Sequence, residues 1–580
     1  MNKRNKHTRF KELAAVFEKL ESTSSSLAMI DTLAEFLPEL SPDELKKTAY
    51  LLRGEVGPSF QASEFGIAQN MIVRVLSQAY KSPEEKIKRA FSKSGDLGIV
   101  AEELTVPRTG RLTIAQVFHY LEGIAHTSGK GSQQAKVDCL VQLLSKVSPA
   151  EAKYVVRTIL GTHRIGVGDM TFLRALAKAF TGKKHDKEVL ESAYNVLSDL
   201  GEVAFRLADK GIGALARVKP SPGIPVRMML ASRVKGLDEV PLHFKDGMFV
   251  EYKYDGERLQ VHKDRQGRVH AFSRRLENIT HQYPEIIEQA SATLKAREAI
   301  VEGEAVCVDP KTGKLRPFQV LMQRKRKHDI ERYRSQTPAT LFLFDMLYLD
   351  GKDLLRLPLS KRKKLLTDHL TASRGFTVGK FIETAEMADV ESYFREAISK
   401  GAEGVVIKDS KGPYQAGHRG WYWIKFKKEY QRELADTFDV VIVGALYGRG
   451  RRAGSYGSVL VASFDPKTNK YYSFTKVGAG FTDAVLRSLP KVLKPCIIPE
   501  KDHLVVTEMP ADVWFEPVRV IEISGADLTI SPVHTVANDK LKKGGLALRF
   551  PKFLRWRDDK TAEQTTSVGE IWDMYKAARS

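Results

Sequence analysis

In VEYKYDGERLQVHKD (250–264) a lysine, Lys253, stands between two acids, Glu251 and Asp255, with Gly256 and Arg258 close behind. Side chains alternate along a strand, so Glu251, Lys253 and Asp255 share one face and Val250, Tyr252 and Tyr254 the other. Gly256 permits a sharp turn that brings Arg258 in at the start of the next strand. A buried lysine is costly unless it is paired or put to use. On this stretch alone a structural ion pair is the commoner outcome, and a nucleophilic amine the sharper one. Other stretches bear on the choice. In VEGEAV (301–306) Glu302 and Glu304 share a face, and EGVVIKD (403–409) carries Glu403 and Lys408. WYWIK followed by FK (421–427) sets Trp421, Trp423, Lys425 and Lys427 on one face and Tyr422, Ile424 and Phe426 on the other. Such a face needs a counter-charge, which a phosphate chain would supply. A sheet edge defended by lysines accounts for the lysines but not for the tryptophans.

These residues need a scaffold, and the chain changes texture twice. Up to about residue 215 it reads as helices. Phe10, Leu13, Val16, Phe17 and Leu20 form one apolar stripe. SPDELKKTAYLL (41–52) and SPAEAKYVVRTIL (148–160) each open with a serine cap, a proline at the first helical position and early acids. TSGKGSQ (127–133) reads as a loop between helices. KPSPGIP (219–225) reads as a linker. Strand-like alternation follows, with helical patterns between, as at residues 281–297: a mixed sheet domain. From about Asp436, short strands separated by Gly-rich turns, with one helix at 481–493, predict a small barrel of the oligonucleotide-binding type; a sandwich is the competing architecture.

Length and composition narrow the setting. The 580 residues suggest three or four domains, with no internal repeat or long low-complexity tract. A net charge of +21 points to a polyanionic partner, with basic runs at QRKRKHD (323–329), SKRKK (360–364) and RGRR (449–452). Each run alone is more often a solvated face. Three scattered cysteines, Cys139, Cys307 and Cys496, build neither a disulfide framework nor a four-cysteine zinc site. No apolar run spans a membrane and the basic start lacks a signal-peptide core, so a soluble intracellular protein is expected. No Gly-x4-Gly-Lys-Ser/Thr loop is present, which argues against a motor ATPase.

KYDGER (253–258) resembles the Lys-x-Asp-Gly-x-Arg motif of covalent nucleotidyltransferases. FSRRLENIT (272–280), VEGEAV, FLFDMLYLDG (342–351), EGVVIK and WIKFK (423–427) follow in that family's order. RFPKFLRWRDDKTAEQTTS (549–567) resembles the terminal Arg-x-Asp-Lys motif of ATP-dependent DNA ligases. YVVRTILGTHRIGVGDMTFLRALAKA (154–179) is similar to the DNA-binding domain of replicative ligases of the archaeal and eukaryotic ligase I type. The resemblance covers essentially the whole chain. It implies an all-α DNA-binding domain (1–218), an α+β nucleotidyltransferase domain of ATP-grasp-like fold (219–432) and a C-terminal OB-fold β-barrel (433–580).

The resemblance also assigns roles. Lys253 matches the lysine that becomes adenylated. Glu251 and Phe344 match the residues that hold the adenine, the phenylalanine by stacking. Arg258, Arg274 and Glu304 match groups around the ribose and phosphates; Arg275 is an alternative to Arg274. Glu403, with Glu304, matches the acids that organise a metal, and Lys408 follows closely. Arg419, Lys425 and Lys427 match phosphate-binding residues, and Arg557 and Asp559 the barrel motif that orients the pyrophosphate leaving group. ATP, Mg²⁺ or Mn²⁺, and nicked double-stranded DNA bound without sequence preference are implied, in replication, repair and recombination. A cytoplasmic, nucleoid-associated monomer is expected; a sliding clamp is a candidate partner for which no motif stands out. Since only a neutral amine attacks phosphorus, Arg258, Lys425, Lys427 and the metal are expected to push Lys253's pKa down, against Glu251 and Asp255. A hinge is expected at 428–436, because the barrel serves the ATP step and DNA must later take its place. An RNA ligase or GTP-using capping enzyme would share the lysine motif but not the helical domain or RFPKF. A non-catalytic DNA clamp would leave Lys253 idle.

Overall fold

The computed structural model describes residues 7–577 except 62–63, 164, 183–185, 235, 245–246, 310–311, 323–333, 335, 337, 372, 428–436 and 449–454, and except the side chain of Gln319. The expected hinge at 428–436, the basic runs at 323–329 and 449–452, and Arg164 lie outside the described residues. The chain divides into two compact units, Met1–Lys427 and Lys428–Ser580.

The first unit opens with helices from Phe10–Glu21 to Ile212–Leu215. The stripe of Phe10, Leu13, Val16, Phe17 and Leu20 is buried throughout. Ser41 and Ser148 start their helices as expected, each with a capping box to Glu44 and Glu151 and a proline in the first turn. The supposed linker 219–225 is not a free tether. Gly223 N–H donates to His262 Nδ1 at 3.0 Å, and Ser198 Oγ donates to Pro225 O at 2.6 Å. Just beyond it, Val226 exchanges two backbone hydrogen bonds with the Gln260 side chain, at 2.8 and 3.0 Å. Buried polar side chains need partners, and this backbone supplies them.

Beyond the helices come two sheets. One orders its strands Leu230–Arg233, Arg419–Lys427, Gly404–Asp409, Met248–Lys253, Phe381–Thr384. The other runs Val269–Ser273, Glu257–Lys263, Ala299–Cys307, Ala339–Leu349, Lys352–Asp353, with Phe376–Val378 pairing in parallel to the fourth. The chain passes from the first to the second at Gly256. The glycine is required there by close approach rather than by a positive φ: a Cβ would stand 2.3 Å from Ala305 O. The helical pattern at 281–297 shortens to Pro284–Thr293, because Pro284 fixes the first turn.

In the second unit, Phe438–Tyr447 pairs with Tyr456–Asp465, which pairs with Lys470–Val477. Val520–Ser524 bridges Phe438–Tyr447 to Lys552–Trp556. The expected helix is Asp483–Leu493, capped by Thr482.

His262 shows how pH acts on this core. Gly223 N–H must donate, so Nδ1 accepts and the proton sits on Nε2, facing Gln260 Oε1 at 2.8 Å. Burial, then the charge of His270, pulls its pKa down to about 3. Below the ordinary value near 6.5 the unfolded imidazole takes a proton that the folded one refuses, so stability falls as pH drops through that window. Between pH 7.5 and 5.5 the loss is roughly 1.4 kcal/mol for this residue. Urea midpoints should therefore fall with acid, and fall less in His262→Gln; equal slopes would refute the assignment.

Candidate active site

Lys253 ends the strand Met248–Lys253, three-quarters buried, at the passage between the two sheets. Its neighbour in register is Gly404, and Glu403 N–H donates to Lys253 O at 2.9 Å. Register therefore sets the counter-ion: Glu403 Oε2 lies 2.7 Å from Lys253 Nζ and 2.8 Å from Lys427 Nζ. Asp255 accepts from Phe318 N–H at 3.1 Å, and Glu403 is close enough to raise its pKa. Glu251 is not part of this cluster. Its oxygens lie 2.7 Å from Lys363 Nζ and 2.6 Å from Lys408 Nζ.

The expected downward push on Lys253 is not what the chain alone produces. Burial lowers its pKa, but Glu403, Glu304 and Asp255 outweigh that and hold it above the ordinary value. Two of the three cations expected to oppose them are paired with carboxylates, Lys427 with Glu403 and Arg258 with Glu302. Lys425 is lowered by burial, then by the charges of Arg419, Lys253, Lys427 and Arg274, so several cations act on one another here. Arg419 also donates to Ala231 O at 2.9 Å. Arg274 is exposed near Lys425, whereas Arg275 lines a cavity with Tyr50, Arg53, Asp169 and Arg227.

Of the three carboxylates, Glu403 is held well down by Lys253 and Lys427, while the other two are under-neutralised. Burial first, with the charges of Glu403 and Asp255 adding to it, pushes Glu304 up to about 7. Asp255 is raised by burial and by Glu403. Hard oxygen donors short of positive charge suit a divalent cation such as Mg²⁺. Among the described residues no cluster of three His, Cys, Asp or Glu side chains is already closed at metal distance; Glu403 is turned onto the two lysines.

Beside the cluster lies an aromatic pair. Phe344 and Trp423 meet edge to face at 5.9 Å. Lys408 Nζ lies 4.2 Å from both ring centroids, and Arg258 Cζ lies 5.2 and 5.3 Å from them. Arg258 is fixed by Glu302 Oε2 at 2.7 Å and Met229 O at 2.6 Å, and Tyr414 Oη also donates to Glu302 at 2.8 Å. Among the residues not anticipated here, Tyr414 carries no sequence signal, because its partner is 112 positions away.

Arg557 and Asp559 belong to the second unit. Arg557 Nη1 donates to Asp439 at 2.8 and 2.9 Å, while Nε and Nη2 donate to Asp559 at 2.9 and 2.8 Å. Lys560 Nζ shares Asp439 at 2.7 Å. Asp439 was not foreseen; it holds both cations of the Arg-x-Asp-Lys motif from a strand 118 residues upstream. A groove of about 370 Å³ beside them is lined by Val518, Arg519, Arg557 and Lys560.

Comparison with known proteins shows the family. Three family models match in series: "DNA ligase N terminus" over residues 9–177, "ATP dependent DNA ligase domain" over 228–427, and "ATP dependent DNA ligase C terminal region" over 452–560. The DNA ligase of Staphylothermus marinus is 43% identical over 98% of both chains, and that of Aeropyrum pernix 42% identical over 98% of both. A solved structure titled "Pmar-Lig_PreS3" covers 94% of this chain and 99% of its own at a TM-score of 0.56; at 19% identity it shows the fold alone. By class, then, the chain is a DNA ligase, an enzyme. It belongs to the ATP-dependent DNA ligase family, with that family's helical N-terminal domain, nucleotidyltransferase domain and C-terminal OB-fold domain. No helix among the described residues is long and apolar enough to cross a membrane.

Proposed function

We propose that this ligase seals nicks in double-stranded DNA through an adenylate carried on Lys253, with domains divided at 1–218, 219–432 and 433–580. The observation that carries this reading is the placement of Lys253 between a carboxylate cluster and Lys425 and Lys427, next to the Phe344–Trp423 aromatic pair. ATP is a substrate, with its adenine against Phe344 and Glu251 and its triphosphate toward Lys425, Lys427, Arg419 and Arg274. Lys253 Nζ attacks the α-phosphorus; a P–N bond forms and the P–O bond to pyrophosphate breaks. Lys253 rests as an ammonium against Glu403, so the amine must first shed that proton. Anything that draws Glu403 away weakens its hold on the proton, and Lys425 and Lys427 then favour the neutral amine. Mg²⁺, held by Glu304 and Glu403, would supply charge stabilisation on the phosphoryl oxygens.

The adenylate then passes to the 5′-phosphate at the nick: the P–N bond breaks and a P–O–P bond forms. The 3′-hydroxyl attacks that activated phosphorus and AMP leaves. Holding the two ends in line contributes about 7–11 kcal/mol in well-oriented systems. Contacts to phosphate and sugar suit an enzyme that must ignore sequence. Gly161 and Gly166, at φ of 63° and 68°, give this segment left-handed turns of the kind that let backbone approach a phosphate. A duplex with one labelled 5′-phosphate at a nick tests the reading: it should become a continuous strand with ATP and stay nicked without it. A chain that forms no joined product with ATP and Mg²⁺ would refute it.

Arg557 gives a step-specific prediction. Arg557→Ala removes a cation assigned to the pyrophosphate and should slow adenylation of the chain by about 10²–10³-fold. Sealing of a nick that already carries its adenylate needs no pyrophosphate to leave, and should change far less. Equal losses in both assays would contradict the assignment.

A further inference from the structure

SKRKK (360–364) has the composition of a solvated basic run, but the helix Leu359–Asp368 turns half of it inward. Leu359, Arg362, Lys363 and Leu366, spaced by three and four, are all buried, while Lys361 and Lys364 are exposed. Two cations thus occupy an apolar stripe. Arg362 is taken by Asp345. Lys363, its side chain 4% exposed, sits with Nζ 2.7 Å from Glu251 Oε1 and donates to Phe344 O at 3.4 Å. Its ammonium also lies 4.3 Å from the Phe381 centroid and 5.4 Å from that of Phe249. One buried lysine therefore touches both residues assigned to the base.

Glu251 needs this partner. Its other oxygen faces Lys408 at 2.6 Å, but burial pulls Lys408 down to about 8, so Lys408 alone is an unreliable counter-ion above neutral pH. Oε1 is buried and has no aligned hydrogen bond despite the nearby ammonium, so it keeps an acceptor position for an incoming donor.

Resting on the adenylation reading above, we propose that Lys363 is a positioning residue for base selection. It holds Glu251 in place, and steadies the Phe344 backbone, so that Glu251 accepts a hydrogen bond from the 6-amino group of adenine. Guanine presents a carbonyl at that position, and the carboxylate repels it.

The test compares adenylation of the full chain by ATP and by purine riboside 5′-triphosphate, which lacks the 6-amino group. The wild type should prefer ATP by about 10- to 100-fold in kcat/KM, the range of a charge-assisted hydrogen bond. In Lys363→Met the preference should shrink to within about threefold, through a raised KM for ATP, since binding common to ground and transition states is lost. Lys363→Gln, which keeps a polar group without charge, is read in the same way if Lys363→Met does not fold. A merely structural role would slow both nucleotides equally and leave the ratio intact, overturning the proposal while the adenylation reading stands. A wild type indifferent to the 6-amino group would also overturn it. A wild type that takes up neither nucleotide would instead refute the reading itself.

Discussion

Lys253→Ala should take up no adenylate: after incubation with ATP and Mg²⁺, the intact mass of the wild type rises by one AMP and that of the variant does not. Loss of a covalent nucleophile removes the route itself, so the adenylation rate should drop by at least about 10⁴-fold. Lys253→Arg should fare no better, because a guanidinium keeps its proton at any working pH. The structure sharpens the test. Lys253 and Lys427 share the single Oε2 of Glu403, so truncating Lys253 leaves that carboxylate paired with Lys427 rather than orphaned. The fold should therefore survive. The variant should still seal a nick supplied with its adenylate already attached, since that step asks nothing of the amine. ATP-dependent sealing by Lys253→Ala, or an adenylate found on another side chain, would remove the basis of the mechanism.

How much of this was legible in the sequence depends on whether the controlling contact is local. Alternation placed Lys253 on its strand, and the serine caps and the Phe10 stripe needed only neighbours within a turn. The site's electrostatics were less legible, because they depend on strand register. Glu251 and Lys253 do share a strand face, yet they face different partners. Glu403 reaches Lys253 because Gly404 lies opposite it, and Lys408 reaches Glu251 from the same neighbouring strand. The expectation of a lowered Lys253 counted nearby cations and a metal; the chain's own cations do not produce it, because Arg258 is held by Glu302 and Lys427 by the same Glu403 that holds Lys253. Asp439 was unreadable for the same reason, being paired with Arg557 from 118 residues away. The helix at SKRKK is a different case. Its spacing held the clue, two cations inside an apolar stripe, but composition pointed to solvent.

Arg362 carries the largest expected effect on stability. It is fully buried together with Asp345, and the pair is bidentate, Nε to Oδ1 at 2.8 Å and Nη2 to Oδ2 at 3.0 Å. Nη1 donates to Gly412 O at 3.1 Å and to Leu357 O. Asp345 Oδ1 also accepts from Met346 N–H at 2.8 Å. Both charges are shielded from water in the fold. Arg362→Met should therefore cost about 3–5 kcal/mol, mostly the penalty of an unpaired buried carboxylate rather than the worth of the bridge. The double variant Arg362→Met, Asp345→Leu should recover much of that loss, because a matched apolar pair leaves no stranded charge. Urea denaturation of the three chains measures both quantities; a single variant within about 1 kcal/mol of the wild type would show the pair to be solvated or dispensable. Since Asp345 follows Phe344 on one strand, the loss should also reach the Phe344–Trp423 pair, so Arg362→Met, where it still folds, should bind ATP more weakly than the double variant does.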